Sequence, residues 1–282
     1  MIETLSNIDD VLFIEPWTHI KNIIEIESDN IEYGPLGNFV DPIVHDNKFM
    51  FISSYNGDGG FYNTNENAVY RLGTTNTSRC NITFPNNLYK LFSTNLNIND
   101  DRIIAMPYGV FDNRPYVSEE MSDNMFTIFL PKDILCYARF STWTARPRRL
   151  IRQWCEAQSF ICSSFSNSPS EQTPATLDNY FRSLHRAKFM ICPPGNGPDT
   201  YRVWEALYSN AIPIVIDSPL YQNFDLPILR VKSFEDITEN MLLDTYEIFD
   251  DKTWNFSQLK TSYYNSLIIK TLKELENDST TK

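Results

Sequence analysis

The stretch Ile191-Cys192-Pro193-Pro194-Gly195-Asn196-Gly197-Pro198-Asp199-Thr200-Tyr201-Arg202-Val203-Trp204-Glu205-Ala206-Leu207 decides the fold. Its apolar start reads as a strand, its glycines and prolines as a loop, and the remainder as the opening of a helix. Asp199 or Thr200 is placed to cap that helix, and Asn210 tolerates the left-handed conformation that stops one. In an open parallel sheet, ligands sit beyond the carboxyl ends of the strands, where a helix N-terminus offers unpaired N–H groups and positive partial charge. Gly195 and Gly197 let the backbone come close to a ligand. Arg202, in the first turn, is within reach of phosphate oxygens. Glu205, about one turn on, can accept hydrogen bonds from neighbouring hydroxyls. The plainer alternative is an ordinary turn, with Arg202 and Glu205 as i, i+3 neighbours on one helix face. Spacing alone leaves both open.

Working outward, strand and helix patterns alternate from about 130 to 217. Ile134–Phe140 is strand-like, Pro147–Ala157 reads as a helix, and Phe160–Ser164 as a strand. Pro174 opens a helix along which Leu177, Tyr180, Phe181 and Leu184 recur, Ala187–Cys192 is a strand, and Ala211–Ile216 is another. Such alternation is the mark of a parallel sheet with helices on its faces. The front half is less regular. Residues 11–15, 47–54 and 102–106 read as strands, with a shorter one around 68–72, and Tyr55-Asn56-Gly57-Asp58-Gly59-Gly60 is a tightly turned loop at a strand end. The expected fold class is α/β. We place an N-terminal α/β domain over 1–128 and a C-terminal one over 129–282, with a last helix, about 254–275, allowed to pack back on the first.

Composition narrows the function. The 282 residues carry 36 acids and 24 bases, a formal charge of −12. That field repels nucleic acid and anionic membranes, so no nucleic-acid partner is expected, yet a few local cations can still hold a small phosphate ligand. Arg139, Arg146, Arg148, Arg149 and Arg152 cluster ahead of the quoted stretch, as solvated helix faces or as part of an anion site. No run approaches the roughly 18 apolar residues of a membrane span, and the acidic start lacks a secretory pattern, so the expected location is the cytoplasm. Five cysteines without a Cys-x-x-Cys pair suggest neither a disulfide framework nor a thiolate zinc site; Cys136, Cys162 and Cys192 are expected in the core. Asp100-Asp101 and Asp250-Asp251 read as surface turns rather than metal ligands. A nicotinamide-dependent oxidoreductase is disfavoured because Thr200 stands where the Gly-x-G-x-x-Gly fingerprint needs its last glycine.

The run from Tyr180 through His185-Arg186-Ala187-Lys188-Phe189-Met190-Ile191-Cys192-Pro193-Pro194-Gly195, then Tyr201-Arg202-Val203-Trp204-Glu205-Ala206-Leu207, then Ala211-Ile212-Pro213-Ile214-Val215-Ile216, resembles the core of the exostosin-like glycosyltransferases. Their pattern is a strand ending in Pro-x-Gly, then Arg-x-x-Glu-Ala, then a strand of Pro-Ile/Val-Val-Ile. Leu226-Pro227 is similar to their later Leu-Pro segment, and the strand from Ile134 followed by Arg148 or Arg149 to their strand and arginine. Ala138-Arg139-Phe140-Ser141 departs from the family, which usually has a glycine there. In the front half, His45-Asp46, Phe49-Met50-Phe51 and Asp58-Gly59 are loosely similar to the family's histidine, strand and Asp-Gly. The compact, Asn-rich chain also looks like glycosyltransferases of large algal viruses.

The resemblance implies two facing Rossmann-like domains with a cleft between them (the GT-B type). It implies a UDP-sugar donor, xylose among the candidates, and a glycan hydroxyl as acceptor. It implies inversion at the sugar carbon and no metal or other cofactor. Glu205 would take the ribose. Arg202 would lie near the pyrophosphate with Pro194, Gly195, Asn196, Gly197, Asp199, Thr200 and Tyr201, and Arg139 with Arg148 or Arg149 would add positive charge. The base would come from the opposite domain: Asp58 first, then His45 and Asp46. A nucleotide- or glycan-binding module without catalysis is the alternative.

Overall fold

The computed structural model describes residues 43–45, 48–53, 60–62, 69–71, 88–93, 96, 100–110, 130–142, 145–165, 174–195 and 197–280. In the front half, β1 (Ile43–His45) pairs antiparallel with β2 (Lys48–Ser53). The short β3 (Gly60–Tyr62) and β4 (Val69–Arg71) form a ladder of their own. Then β5 (Leu88–Ser93) lies parallel to β2, and β6 (Ile103–Ala105) parallel to β5, giving the order β1-β2-β5-β6. Gly109, just past β6, has φ 79°, a conformation that favours glycine.

The second half is the expected alternation: β7 (Ile134–Ala138), α1 (Pro147–Glu156), β8 (Ile161–Ser163), α2 (Pro174–Arg186), β9 (Ala187–Ile191), α3 (Tyr201–Tyr208), β10 (Ile212–Ile216), the one-turn α4 (Pro219–Gln222) and β11 (Leu229–Val231). Two further helices, α5 (Glu239–Asp251) and α6 (Thr261–Thr280), end the described chain. All five strands are parallel, in the order β11-β10-β9-β7-β8. The chain therefore moves outward from β7 to β8 on one side, then returns past β7 to lay β9, β10 and β11 on the other. The β7–β8 and β9–β10 connections run in opposite directions at this reversal, and the carboxyl ends of β7 and β9 there are where open parallel sheets bind ligands.

Local chemistry explains the sharp edges of these elements. Helix α3 stops at Asn210, whose φ is 59°. The Ala211 N–H then returns to the Ala206 carbonyl at 2.8 Å, and the Asn210 N–H to that of Leu207 at 3.0 Å. That closing motif satisfies the last carbonyls and starts β10 two residues later. Strand β9 is buried on both faces, as a central parallel strand must be. Met190 joins a core shared with Leu91 and Phe92 of β5, with Val203, Trp204 and Leu207 of α3, and with Tyr264, Ile268, Leu272 and Leu275 along one stripe of α6. Phe189 and Ile191 face a second core against Ile151 of α1 and Leu242 of α5. Helix α6 also lies against β1. At the amino end of the sheet the partly buried Lys132 ammonium donates to the carbonyls of Ala187 (2.9 Å) and Ser209 (3.0 Å); desolvation pushes it down to about 7.

One expectation is corrected. Cys136, Cys155 and Cys192 are buried, but Cys162 is exposed. It lies on β8, an edge strand with one face toward solvent, where an apolar run does not imply burial. Among the described residues no helix is long and apolar enough to cross a membrane.

Candidate functional site

The candidate site at the carboxyl ends of β7 and β9 is built around the loop that follows β9. After Cys192, whose N–H still bonds Ile214 O in the sheet (2.9 Å), come two prolines without N–H donors. Their carbonyls are gripped from outside. Arg148, on the first turn of α1, donates from Nε to Pro194 O (2.8 Å), from Nη2 to Pro193 O (2.9 Å), and from Nη1 to Ser141 O (3.2 Å) beyond β7. One guanidinium thus ties the two strand ends across the reversal. It is buried, and burial followed by the neighbouring Arg202 charge pushes it down to about 9. Its close passage explains Gly195: a Cβ there would meet Arg148 Nη2 at 3.2 Å. The Gly195 N–H bonds Gly197 O at 3.0 Å and closes the turn.

Helix α3 rises from this loop with Thr200 as its N-cap. The Thr200 hydroxyl does not cap: Oγ1 is buried and finds no hydrogen-bond partner among the described residues, in a side chain only 6% exposed. Its methyl lies 3.8 Å from where a Gly195 Cβ would be, so the side chain sits against the inside of the loop. Such a leftover hydroxyl calls for a partner; Ser218 Oγ at the start of α4 is another, and Thr200 is set apart by its place beside Gly195 and Arg202 at the start of α3.

Arg202 and Glu205 each reach off their own helix. Arg202 Nε donates to Arg139 O (2.8 Å), and its guanidinium lies 4.7 Å from the Tyr201 ring centre. Burial works against the Arg202 charge, and Tyr201, Tyr180, Glu205 and Cys192 outweigh it, so its pKa is raised. Glu205 Oε2 accepts from the Tyr180 hydroxyl at 2.6 Å. Arg139 completes the ring of contacts, donating from Nη1 to Thr176 O (2.6 Å), with its guanidinium 5.4 Å from the Tyr180 ring centre.

Asp199 turns toward the front half. Its Oδ2 accepts from the Tyr108 N–H beyond β6 at 2.7 Å, and its Oδ1 from Trp204 Nε1 at 2.9 Å. The Tyr221 hydroxyl is shared between Pro198 O (2.9 Å) and Asp199 Oδ1 (3.3 Å). Burial raises the Asp199 carboxyl to about 7 against the opposing pull of these donors.

Most sequence-selected donor residues therefore fall at one place: Arg139, Arg148, Pro194, Gly195, Gly197, Asp199, Thr200, Tyr201, Arg202 and Glu205. Of the arginine pair left open, Arg148 turns inward and Arg149 is exposed. Asp58, Asp46 and Asn196 lie outside the described residues, and His45 is described only as the last residue of β1. Tyr180, Tyr108 and Tyr221 were missed. Tyr180 counted as one more apolar helix position, and periodicity carries no signal for its hydroxyl. His185 is buried in the last turn of α2. Among the described residues no group of three or more His, Cys, Asp or Glu could hold a metal ion.

Comparison with known proteins locates the likeness in the same segment. Residues 145–228 match the family model of the RXYLT1 C-terminal domain, from α1 to just before β11, and this supports a glycosyltransferase-like domain over those residues. A crystal structure of an alpha1,3-fucosyltransferase is similar at 15% identity, covering 98% of this chain and 93% of that one, with a TM-score of 0.44, too low to define the fold. No curated protein matches the chain in sequence. The matched segment contains Arg148, the glycine-proline loop, Thr200, Arg202 and Glu205, while β7 and Arg139 lie just before it.

Proposed function

We propose that the protein is a glycosyltransferase that takes its sugar from a UDP-sugar, xylose among the candidates, and passes it to a hydroxyl of a glycan acceptor. The observation that carries this reading is the buried Thr200 hydroxyl, without a hydrogen-bond partner among the described residues, at the N-terminus of α3, beside Gly195 and one residue before the first turn that holds Arg202. A pyrophosphate there would meet the helix N–H groups, the hydroxyl and a permanent positive charge. Glu205 takes the ribose hydroxyls. Stabilising charge on the departing diphosphate is the largest contribution such a site can make to transfer. Arg148 supports the loop that presents these groups. In this reading the second half binds the donor, the front half forms the acceptor side of a cleft, and Asp58, or else His45 or Asp46, supplies the base for an inverting, metal-independent displacement.

A nucleotide-release assay over a panel of UDP- and GDP-sugars tests it. Release from one donor is expected, reduced at least ~100-fold in Glu205→Ala, since a buried charged contact to substrate is worth about 3 kcal/mol. Asp58→Asn is expected to abolish turnover and spare UDP binding. Binding of UDP without release from any donor, with acceptor glycans present, would turn the reading into that of a binding module. Absence of any thermal shift with UDP or GDP would overturn it altogether.

A further inference from the structure

Tyr180 belongs to the core by its ring and to the site by its hydroxyl. The ring is 4% exposed and packs 4.8 Å from that of Phe181 and 6.2 Å from that of Tyr137, between α2 and the sheet. Core tyrosines of this depth need an acceptor for the hydroxyl. Here the acceptor is Glu205, itself 1% exposed, and the 2.6 Å separation is that of an O–H donor on a carboxylate.

A glutamate side chain has three rotatable bonds, and its backbone position on α3 does not by itself fix which way its two oxygens face. The Tyr180 hydroxyl holds one of them, Oε2. It comes from a different helix, on a ring held on one face by the Arg139 guanidinium, which is anchored in turn to Thr176 O of α2. The Arg139 carbonyl holds Arg202 on α3. The contacts close a loop through α2, the end of β7 and α3, and both charged residues of the proposed donor site lie on it.

We propose that Tyr180 is a positioning residue for donor recognition: its hydroxyl fixes the Glu205 carboxylate in the orientation that receives the two ribose hydroxyls, without touching the nucleotide. The proposal rests on the donor reading above and fails separately from it. Tyr180→Phe removes one oxygen atom and keeps the ring packed. UDP and 2′,3′-dideoxy-UDP are titrated into wild type and variant by calorimetry. Wild type is expected to bind UDP at least tenfold more tightly than the dideoxy nucleotide. Tyr180→Phe is expected to weaken UDP about tenfold and to leave the dideoxy nucleotide unchanged, so that the preference for ribose collapses. A purely packing role would weaken both nucleotides alike, and that result, or an unaltered preference, overturns the proposal. If wild type binds neither nucleotide, the donor reading falls and takes this one with it. If wild type binds both equally, Glu205 does not read the ribose and Tyr180 has nothing to position.

Discussion

Arg148→Met is expected to lower the free energy of unfolding by about 3 kcal/mol, whereas Arg149→Ala, one residue on, is expected to change it by less than about 0.5 kcal/mol. The contrast follows from where two adjacent side chains of α1 point. Arg149 is exposed and Arg148 buried. Methionine fills much of the space of the arginine stem but leaves the carbonyls of Pro193, Pro194 and Ser141 without their donor. Each lost bond from a charged donor is worth about 1.5–3 kcal/mol. Part of this is returned, because the buried guanidinium lies near the like charge of Arg202 and is pushed down to about 9. A lysine does not substitute: one ammonium cannot reproduce the planar fork that spans three carbonyls on two strand ends. Urea denaturation of the variants checks the numbers, with unchanged m-values showing that the change lies in stability. If Arg148→Met matched Arg149→Ala, the loop after β9 would hold its shape without the brace. In the expected case the proposed donor site is affected as well: UDP affinity falls by more than tenfold, because the prolines lack the N–H groups that would help pin the loop.

Strand β9, helix α3 and strand β10 were legible from sequence to within a residue or two. The reason is physical: strands buried on both faces read as apolar runs, interrupted in β9 only by Lys188, and Pro194-Gly195 and Asn210 mark the turns on either side of α3. Strand β5 was not picked out, since Tyr89 and Lys90 interrupt its apolar residues, although Leu91 and Phe92 are deeply buried. Helix α5 was missed because only Leu242 along it is fully buried, leaving little periodic signal. The place of the site was legible because strand ends and helix starts bind ligands for general reasons. Its wiring was not. Arg148 meets Pro193 from 45 residues away and Tyr108 meets Asp199 from 91, and no local pattern reports contacts of that range. Asp199 read as a helix cap or a ligand group; its carboxylate also joins the loop after β9 to the front half, which no local pattern announces.

That joint has a pH dependence. The folded Asp199 carboxyl titrates at about 7, against 3.8 for an unburied one, with burial as the leading cause. Between those values the folded state holds a proton that the unfolded chain has released, so stability falls as pH rises. The contribution is complete below pH 3.8 and is lost as pH climbs through 7. Asp199→Asn carries no charge at any pH and escapes this loss. Its amide can serve Trp204 and Tyr221 through the oxygen, but its NH2 then faces the Tyr108 N–H, donor against donor. The variant is therefore the less stable protein at pH 5, by about 1–3 kcal/mol for the unpaired donor. From pH 5 to pH 8 the wild type loses about 2.5 kcal/mol that the variant keeps, so the gap closes or reverses. All other titrating groups are common to the two proteins, and their difference isolates the single carboxyl. Chemical denaturation of both at pH 5, 6, 7 and 8 measures it. A gap that widened with pH would mean that Tyr108, Trp204 and Tyr221 stabilise the anion more than burial disfavours it, and that the two halves are joined by an ordinary ionised aspartate. The expected narrowing means that the chain keeps a carboxyl group in an environment that opposes its charge, at the point where donors from the loop after β6, from α3 and from α4 converge.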